Sequence, residues 1–118
     1  MTVRAIRGAV TVENNSAVEI IDETKALLTE IVKENNVEYE DIISIIFTVT
    51  KDLDAAFPAV AARQLGWTRV ALICTNEIDV PGSLKSCIRV LLHINSEKSN
   101  SEINNIYLKG AKVLRPDL

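Results

Sequence analysis

Six arginines stand apart from the lysines in this sequence. Arg4, Arg7, Arg69 and Arg89 lie in or at the edge of apolar, strand-like runs, Arg63 follows a proline turn, and Arg115 stands near the end. The lysines, by contrast, fall mostly on a helix surface, in loops or in the last strand. An arginine among β-branched residues has a desolvated head unless an anion meets it, and it cannot escape by losing its proton. Its fork pairs bidentately with carboxylates. Taken singly, each arginine could serve an internal ion pair with Glu77, Asp79 or Asp117, or sit exposed at a strand edge. Taken together in an acidic chain, they point to a closed pocket for a small anion.

The remaining reactive side chains give weaker signals. Glu77 and Asp79 follow a strand in CTNEIDV, at a strand end where binding residues gather. A carboxylate pair doing acid–base work needs an environment that splits the two pKa values, and solvated loop acids are the equal alternative. Cys74 in an apolar strand reads as a small buried hydrophobe. Tyr107 reads first as packing with a satisfied hydroxyl, and Phe57-Pro58 as a helix entry. His93 in IRVLLHIN reads as a structural histidine on a strand. Cys74, Cys87 and His93 complete no zinc set. No glycine-rich phosphate loop is present, and four glycines in all make a nucleotide fold improbable.

These residues need a scaffold, and the patterning supplies one. Val3–Thr11 is a first strand, with Val3, Ala5 and Arg7 on one face and Arg4, Ile6 and Val10 on the other. Ser16 and Glu19 match a reciprocal capping box. A helix then runs to about Asn35, its stripe formed by Ile20, Ile21, Leu27, Leu28, Ile31 and Val32. A second strand, Asp41–Lys51, is apolar on both faces and so central. Pro58 opens a short helix that Gly66 ends. Arg69–Thr75 is a third strand, and Pro81-Gly82 a turn. Cys87–Asn95 is a fourth strand, with Arg89, Leu91 and His93 sharing a face. Ile106–Leu114 is a fifth, interrupted by Gly110. The result is an α/β (α+β) domain: a mixed five-stranded sheet with helices on one face. So little helix leaves sheet surface uncovered, which predicts an oligomer.

The composition agrees with one domain over residues 1–118. The chain carries 13 basic and 16 acidic residues, a formal charge of −3, and is 47 % hydrophobic with 4 % aromatics. A chain of this length can bury roughly two-thirds of its unfolded surface without disulfides or metal. The acidic balance speaks against a general nucleic-acid binder, and no run reaches the ~20 apolar residues of a membrane span. Arg4 and Arg7 interrupt the N-terminal apolar stretch, so it does not read as a signal peptide, and the expected location is the cytoplasm.

Five segments carry a family resemblance: VRAIRGAVTVE, AFPAVAARQLGW, CTNEID, PGSLKSCIRVLLHIN and YLKGAKVLRPDL. In order and spacing they resemble the AroH class of monofunctional chorismate mutases, nearly end to end. RGAVTVE and LRPDL are the most distinctive. The resemblance implies a homotrimeric pseudo-α/β-barrel with clefts between neighbouring subunits. It implies rearrangement of chorismate to prephenate, toward phenylalanine and tyrosine, with no cofactor and no metal. It assigns Arg89 to the ether oxygen and a carboxylate, Glu77 to the ring hydroxyl, and Arg7 with Tyr107 to a carboxylate. Ile73, Cys74, Thr75 and Asn76 would line the ring side. Phe57 and Ala59, with Arg63 nearby, would form a wall from the neighbouring subunit. Leu114 and Arg115 would belong to a C-terminal segment closing over the substrate. The pattern departs at Val60, where a family member carries a lysine. Two other readings remain at this level: a non-catalytic trimer that binds small carboxylates, and a Rid-type imine deaminase, since one architecture can host several activities.

Overall fold

The computed structural model describes residues 2–114. Its elements run β1 (Thr2–Thr11), α1 (Ala17–Asn35), β2 (Ile42–Val49), α2 (Ala59–Gln64), β3 (Ala71–Asn76), β4 (Cys87–Ser96) and β5 (Ile106–Leu108). Short 3-10 turns lie at Tyr39–Asp41, Asn100–Glu102 and Lys109–Leu114. The strands form one mixed sheet in the order β3-β2-β4-β1-β5. The β2–β3 and β1–β5 pairs are parallel, and β4 runs antiparallel to both β1 and β2. The expected mixed five-stranded sheet is therefore present.

One face of the sheet carries the core. Ile6 and Val10 of β1, Ile45 and Phe47 of β2, and Ile88, Val90, Leu92 and Ile94 of β4 are buried there. They pack in one cluster with Ile20, Leu27, Leu28 and Ile31 of α1 and Ala61 and Ala62 of α2. Burial of this order is the main term holding the fold. Gly8 lets the helix come close: a Cβ there would stand 2.7 Å from Ile31 Cδ1 and 3.2 Å from the Ile106 carbonyl oxygen.

The termini of α1 show how local chemistry places it. Ser16 Oγ accepts from the Glu19 N–H at 3.1 Å, the expected cap. The reciprocal half differs from expectation. The Glu19 carboxylate accepts instead from the Asn14 N–H and side-chain amide, at 3.1 and 2.9 Å. The Ser16 N–H is already spent on the Asn14 carbonyl, so it has nothing left to offer. Asn36 ends the helix in the left-handed region, φ 51°, as asparagine tolerates. The buried Asn35 then donates to the Ile31 and Asn104 carbonyls and accepts from the Asn104 N–H. That pins the segment leading into β5 against the helix.

The C-terminal region differs more. A strand over Ile106–Leu114 was expected, but pairing with β1 stops at Leu108 and a 3-10 turn takes over. Lys109 has φ 53°, incompatible with a continuing strand. The Gly110 N–H turns onto Thr11 Oγ1 at 2.9 Å. A Cβ on Gly110 would sit 2.9 Å from that oxygen, so the close approach requires glycine. β3 likewise begins two residues later than expected, because the Arg69 N–H is taken by the Tyr39 hydroxyl at 3.1 Å.

The other sheet face carries Val3, Ala5 and Arg7 of β1, Ile46 and Thr48 of β2, Ile73 and Thr75 of β3, and Arg89, Leu91 and His93 of β4. Strand alternation puts these opposite the core residues. Val3 and Ile73 are largely exposed there. Among the described residues, the Lys109–Leu114 turn packs on this face at one end, where Ala111 joins Ala9 and Cys87 in a small second cluster.

Candidate active site

Register gathers the candidate residues into a row across that open face. Arg89 on β4 stands between Thr48 on β2 and Ala9 on β1, and Ala9 pairs onward with Tyr107 on β5. Arg7 lies two residues along β1 from Ala9, opposite Leu91. It is thus a diagonal neighbour of Arg89, within reach for long side chains. Ala9, between Arg89 and Tyr107, is fully buried, packed with Cys87 and Ala111. Glu77 continues past the end of β3, its N–H donating to the Val49 carbonyl at 2.9 Å.

These side chains line one cavity of about 330 Å³, bounded by Arg7, Thr48, Glu77, Arg89, Tyr107 and Leu114, with Gly8, Ile46, Val90 and Leu91 as its floor. Arg89 Nε lies 3.7 Å from Glu77 Oε1, with 44 % and 25 % of the two side chains exposed. The Thr48 hydroxyl donates to the same Glu77 oxygen. The cleft therefore holds permanent cations, one carboxylate and a phenol on a half-dry apolar floor. Below Arg89 lies Cys87. Burial pushes its thiol up, and the neighbouring guanidinium only partly opposes this. Such a thiol is not a nucleophile.

The other expected residues divide. Phe57, Cys74, Thr75 and Asn76 line a separate cavity of about 400 Å³, with Leu53 and Pro58. Phe57 is 71 % exposed at its rim. Ala59 lines neither cavity: it is 2 % exposed and belongs to the chain's own core. Arg63 is exposed on α2, and Ile73, 61 % exposed, stands on the open sheet face. Arg115 lies outside the described residues. Arg4 takes the plainer course, its Nε donating to the Lys98 carbonyl at 2.7 Å, and Arg69 is exposed ahead of β3. Asp79 pairs with Lys51 at 2.8 Å instead of joining Glu77. A larger cavity of about 510 Å³ lies under the 77–85 loop and shares Glu77, but neither Arg7 nor Arg89 reaches it. Among the described residues no cluster of histidine, cysteine and acidic side chains could hold a metal.

Sequence reasoning missed Thr48. Its partners become visible only through the β2–β4 register, which puts it directly opposite Arg89.

The pattern that defines chorismate mutase type I fits residues 3–118. The chain belongs to the chorismate mutase type I family. It is 44 % identical to the chorismate mutase AroH of Bacillus subtilis strain 168, over all of this chain and 94 % of that one. It is 46 % identical to the chorismate mutase AroH of Thermus thermophilus, over 98 % and 96 % of the two chains. Among solved structures, a chorismate mutase from Clostridium thermocellum superposes with a TM-score of 0.92 at 63 % identity. That match covers 93 % of this chain and 98 % of the other.

The entry to β4, two residues before Arg89, is held by an acid. Asp52 accepts from the Ser86 N–H at 3.0 Å, from the Ser86 hydroxyl at 3.1 Å and from the Thr50 hydroxyl. Burial raises its pKa, but these hydrogen bonds together outweigh that and hold the carboxyl below its ordinary value. A carboxyl lowered in the folded state contributes stability above its unfolded pKa, about 3.9, and that stability is lost as pH falls through the folded value. Asp52→Asn will therefore melt lower than wild type at neutral pH, and the gap will close below about pH 4. Thermal melts across pH 2–7 check this, and a constant gap would contradict it.

Proposed function

We propose that this chain catalyses the [3,3]-sigmatropic rearrangement of chorismate to prephenate, in the branch leading to phenylalanine and tyrosine. The observation that carries the reading is the single cleft in which Arg7, Glu77, Arg89 and Tyr107 converge, in a chain of the chorismate mutase type I family. In this reaction one C–O bond breaks while one C–C bond forms. No proton moves and no covalent intermediate with the enzyme forms, so the chemistry itself calls for no cofactor.

The enzyme's task is then conformational and electrostatic. Substrate must be held in a compact chair-like shape, with the two termini that bond in near-attack geometry. As the C–O bond stretches, negative charge gathers on the ether oxygen and positive charge on the ring fragment. A guanidinium already in place meets the first without reorganising, which is the role of Arg89. Glu77 accepts from the ring hydroxyl and sits near the positive fragment. Arg7 grips a substrate carboxylate, with the Tyr107 hydroxyl donating beside it. Leu114 borders the cleft beside Tyr107.

The second half of the site is proposed to come from a neighbouring subunit of a homotrimer. Phe57 and Ala59, with Arg63 close by, would be supplied by that neighbour, and Cys74, Thr75 and Asn76, which line the same cavity as Phe57, would come with them. Support comes from the separation of the 400 Å³ cavity from the arginine cleft on one chain. Further support comes from the uncovered sheet face with Ile46, Ile73 and Leu91. Ala59, inside its own core, would serve by backbone and by holding Phe57 out. A cytoplasmic, single-domain enzyme is the matching setting: Cys74 and Cys87 are both free thiols, and among the described residues no helix is long and apolar enough to cross a membrane.

Incubating micromolar protein with chorismate, without added metal or cofactor, and following both species by proton NMR tests the reading. One-for-one conversion to prephenate is expected. Binding without conversion would leave a carboxylate binder, and hydrolysis of 2-imino acids would point to a deaminase.

A further inference from the structure

Glu77 and Arg89 face each other with opposite charges, yet they are not hydrogen-bonded. The contact is 3.7 Å between Arg89 Nε and Glu77 Oε1, well beyond the ~2.7–2.9 Å of a charge-assisted bond. Left to themselves in a half-dry cleft, a guanidinium and a carboxylate close into a fork. Such closure would occupy both groups that the reaction needs free.

β2 prevents the closure at two successive residues. The Val49 carbonyl holds the Glu77 backbone N–H. The hydroxyl of Thr48 donates to Oε1, the oxygen that points toward Arg89. Register fixes that hydroxyl in place, because Thr48 pairs with Arg89 on one side and Thr75 on the other and shares their face. Oε1 is thereby occupied, and Oε2 remains for a ligand.

We propose that Thr48 is a positioning residue that holds the Glu77 carboxylate off Arg89, so that the acid is aimed at the substrate hydroxyl and the guanidinium stays open to the ether oxygen. The proposal rests on the reading of this cleft as a chorismate mutase site. Thr48 acts through Glu77 and itself needs no contact with the reacting atoms.

Valine and threonine are alike in shape and both suit strands, so Thr48→Val removes the hydroxyl with little change to the sheet. Thr48→Ser keeps it. Thr48→Val should lower kcat about tenfold, the scale of one hydrogen bond to a charged group, and Thr48→Ser should restore it to within about threefold. In a Glu77→Ala background, Thr48→Val should cost nothing further, because the group it positions is gone. A merely structural role would give losses that multiply. A crystal structure of substrate-free Thr48→Val should show Arg89 and Glu77 closed to hydrogen-bonding distance. Wild-type kcat in Thr48→Val, multiplying losses, or an unchanged 3.7 Å separation would each overturn the proposal. If the wild type fails to convert chorismate, the functional reading falls, while the crystal structure of Thr48→Val still decides whether Thr48 holds the pair apart.

Discussion

Replacing Arg89 by alanine should lower kcat by about 10²–10³, with a smaller change in KM. That is the usual scale for losing one preorganised group aimed at developing charge. The expectation follows from where the charge appears. The ether oxygen is neutral in bound chorismate and becomes negative only as its bond stretches, so a group stabilising it acts on kcat. Arg89 is placed for this by β4, the central strand, with Thr48 and Ala9 fixing it from both sides. Lysine at the same position should recover only part of the loss, since an ammonium keeps the charge but lacks the planar fork. The fold should survive the change to alanine, because the side chain is 44 % exposed and lies outside the main core. Steady-state kinetics beside a thermal melt check this. A raised KM with unchanged kcat would mean that Arg89 binds substrate and transition state alike.

The second large effect is expected from Ile73→Glu. Ile73 lies on edge strand β3, on the sheet face opposite the helices, and is 61 % exposed on the single chain. A carboxylate there costs the isolated subunit little, since substitutions in water are usually within ±0.5 kcal/mol. Inside a subunit interface the same carboxylate would be buried without a partner, at a cost of several kcal/mol. Sedimentation velocity should therefore find wild type at three times the chain mass and Ile73→Glu at the chain mass, folded by circular dichroism. Activity should fall at least ~10²-fold with it, because each cleft would lose its second wall. An assembled, active Ile73→Glu would show that this face is not the interface.

Much of this arrangement could be read from residue types. The alternation of β1 and β4 already put Arg7 on the face away from Ile6 and Val10, and Arg89 on the face away from Ile88 and Val90, because strand parity needs only local pattern. The α1 stripe and the Ser16 cap were legible for the same reason. What required the folded chain was register. Nothing in TVT announces that Thr48 pairs with Arg89, since pairing partners on β2 and β4 are some forty residues apart in sequence. The C-terminal turn was hidden by a backbone detail: Leu108, Ala111, Val113 and Leu114 after Tyr107 suit a strand, but Lys109 adopts positive φ and the Gly110 N–H finds Thr11. Glu19 turned to Asn14 because a competing carbonyl had already taken the Ser16 N–H. That competition is invisible until the chain is placed in space. That Cys74 shares a cavity with Phe57 and not with Arg89 likewise became visible only in three dimensions.

If one protomer's arginines and its neighbour's Phe57 wall form a single working cleft, two differently damaged chains must complement each other when mixed. Arg89→Ala spoils one half of the site, and Phe57→Ala with Arg63→Ala spoils the other. Each protein alone should show a few per cent of wild-type activity at most. Unfolded together in equal amounts and refolded, they should regain roughly one-quarter of it, because random assortment unites two intact halves at about that fraction of clefts in a cyclic assembly. A mixture that shows only the average of its two parents would contradict the shared cleft.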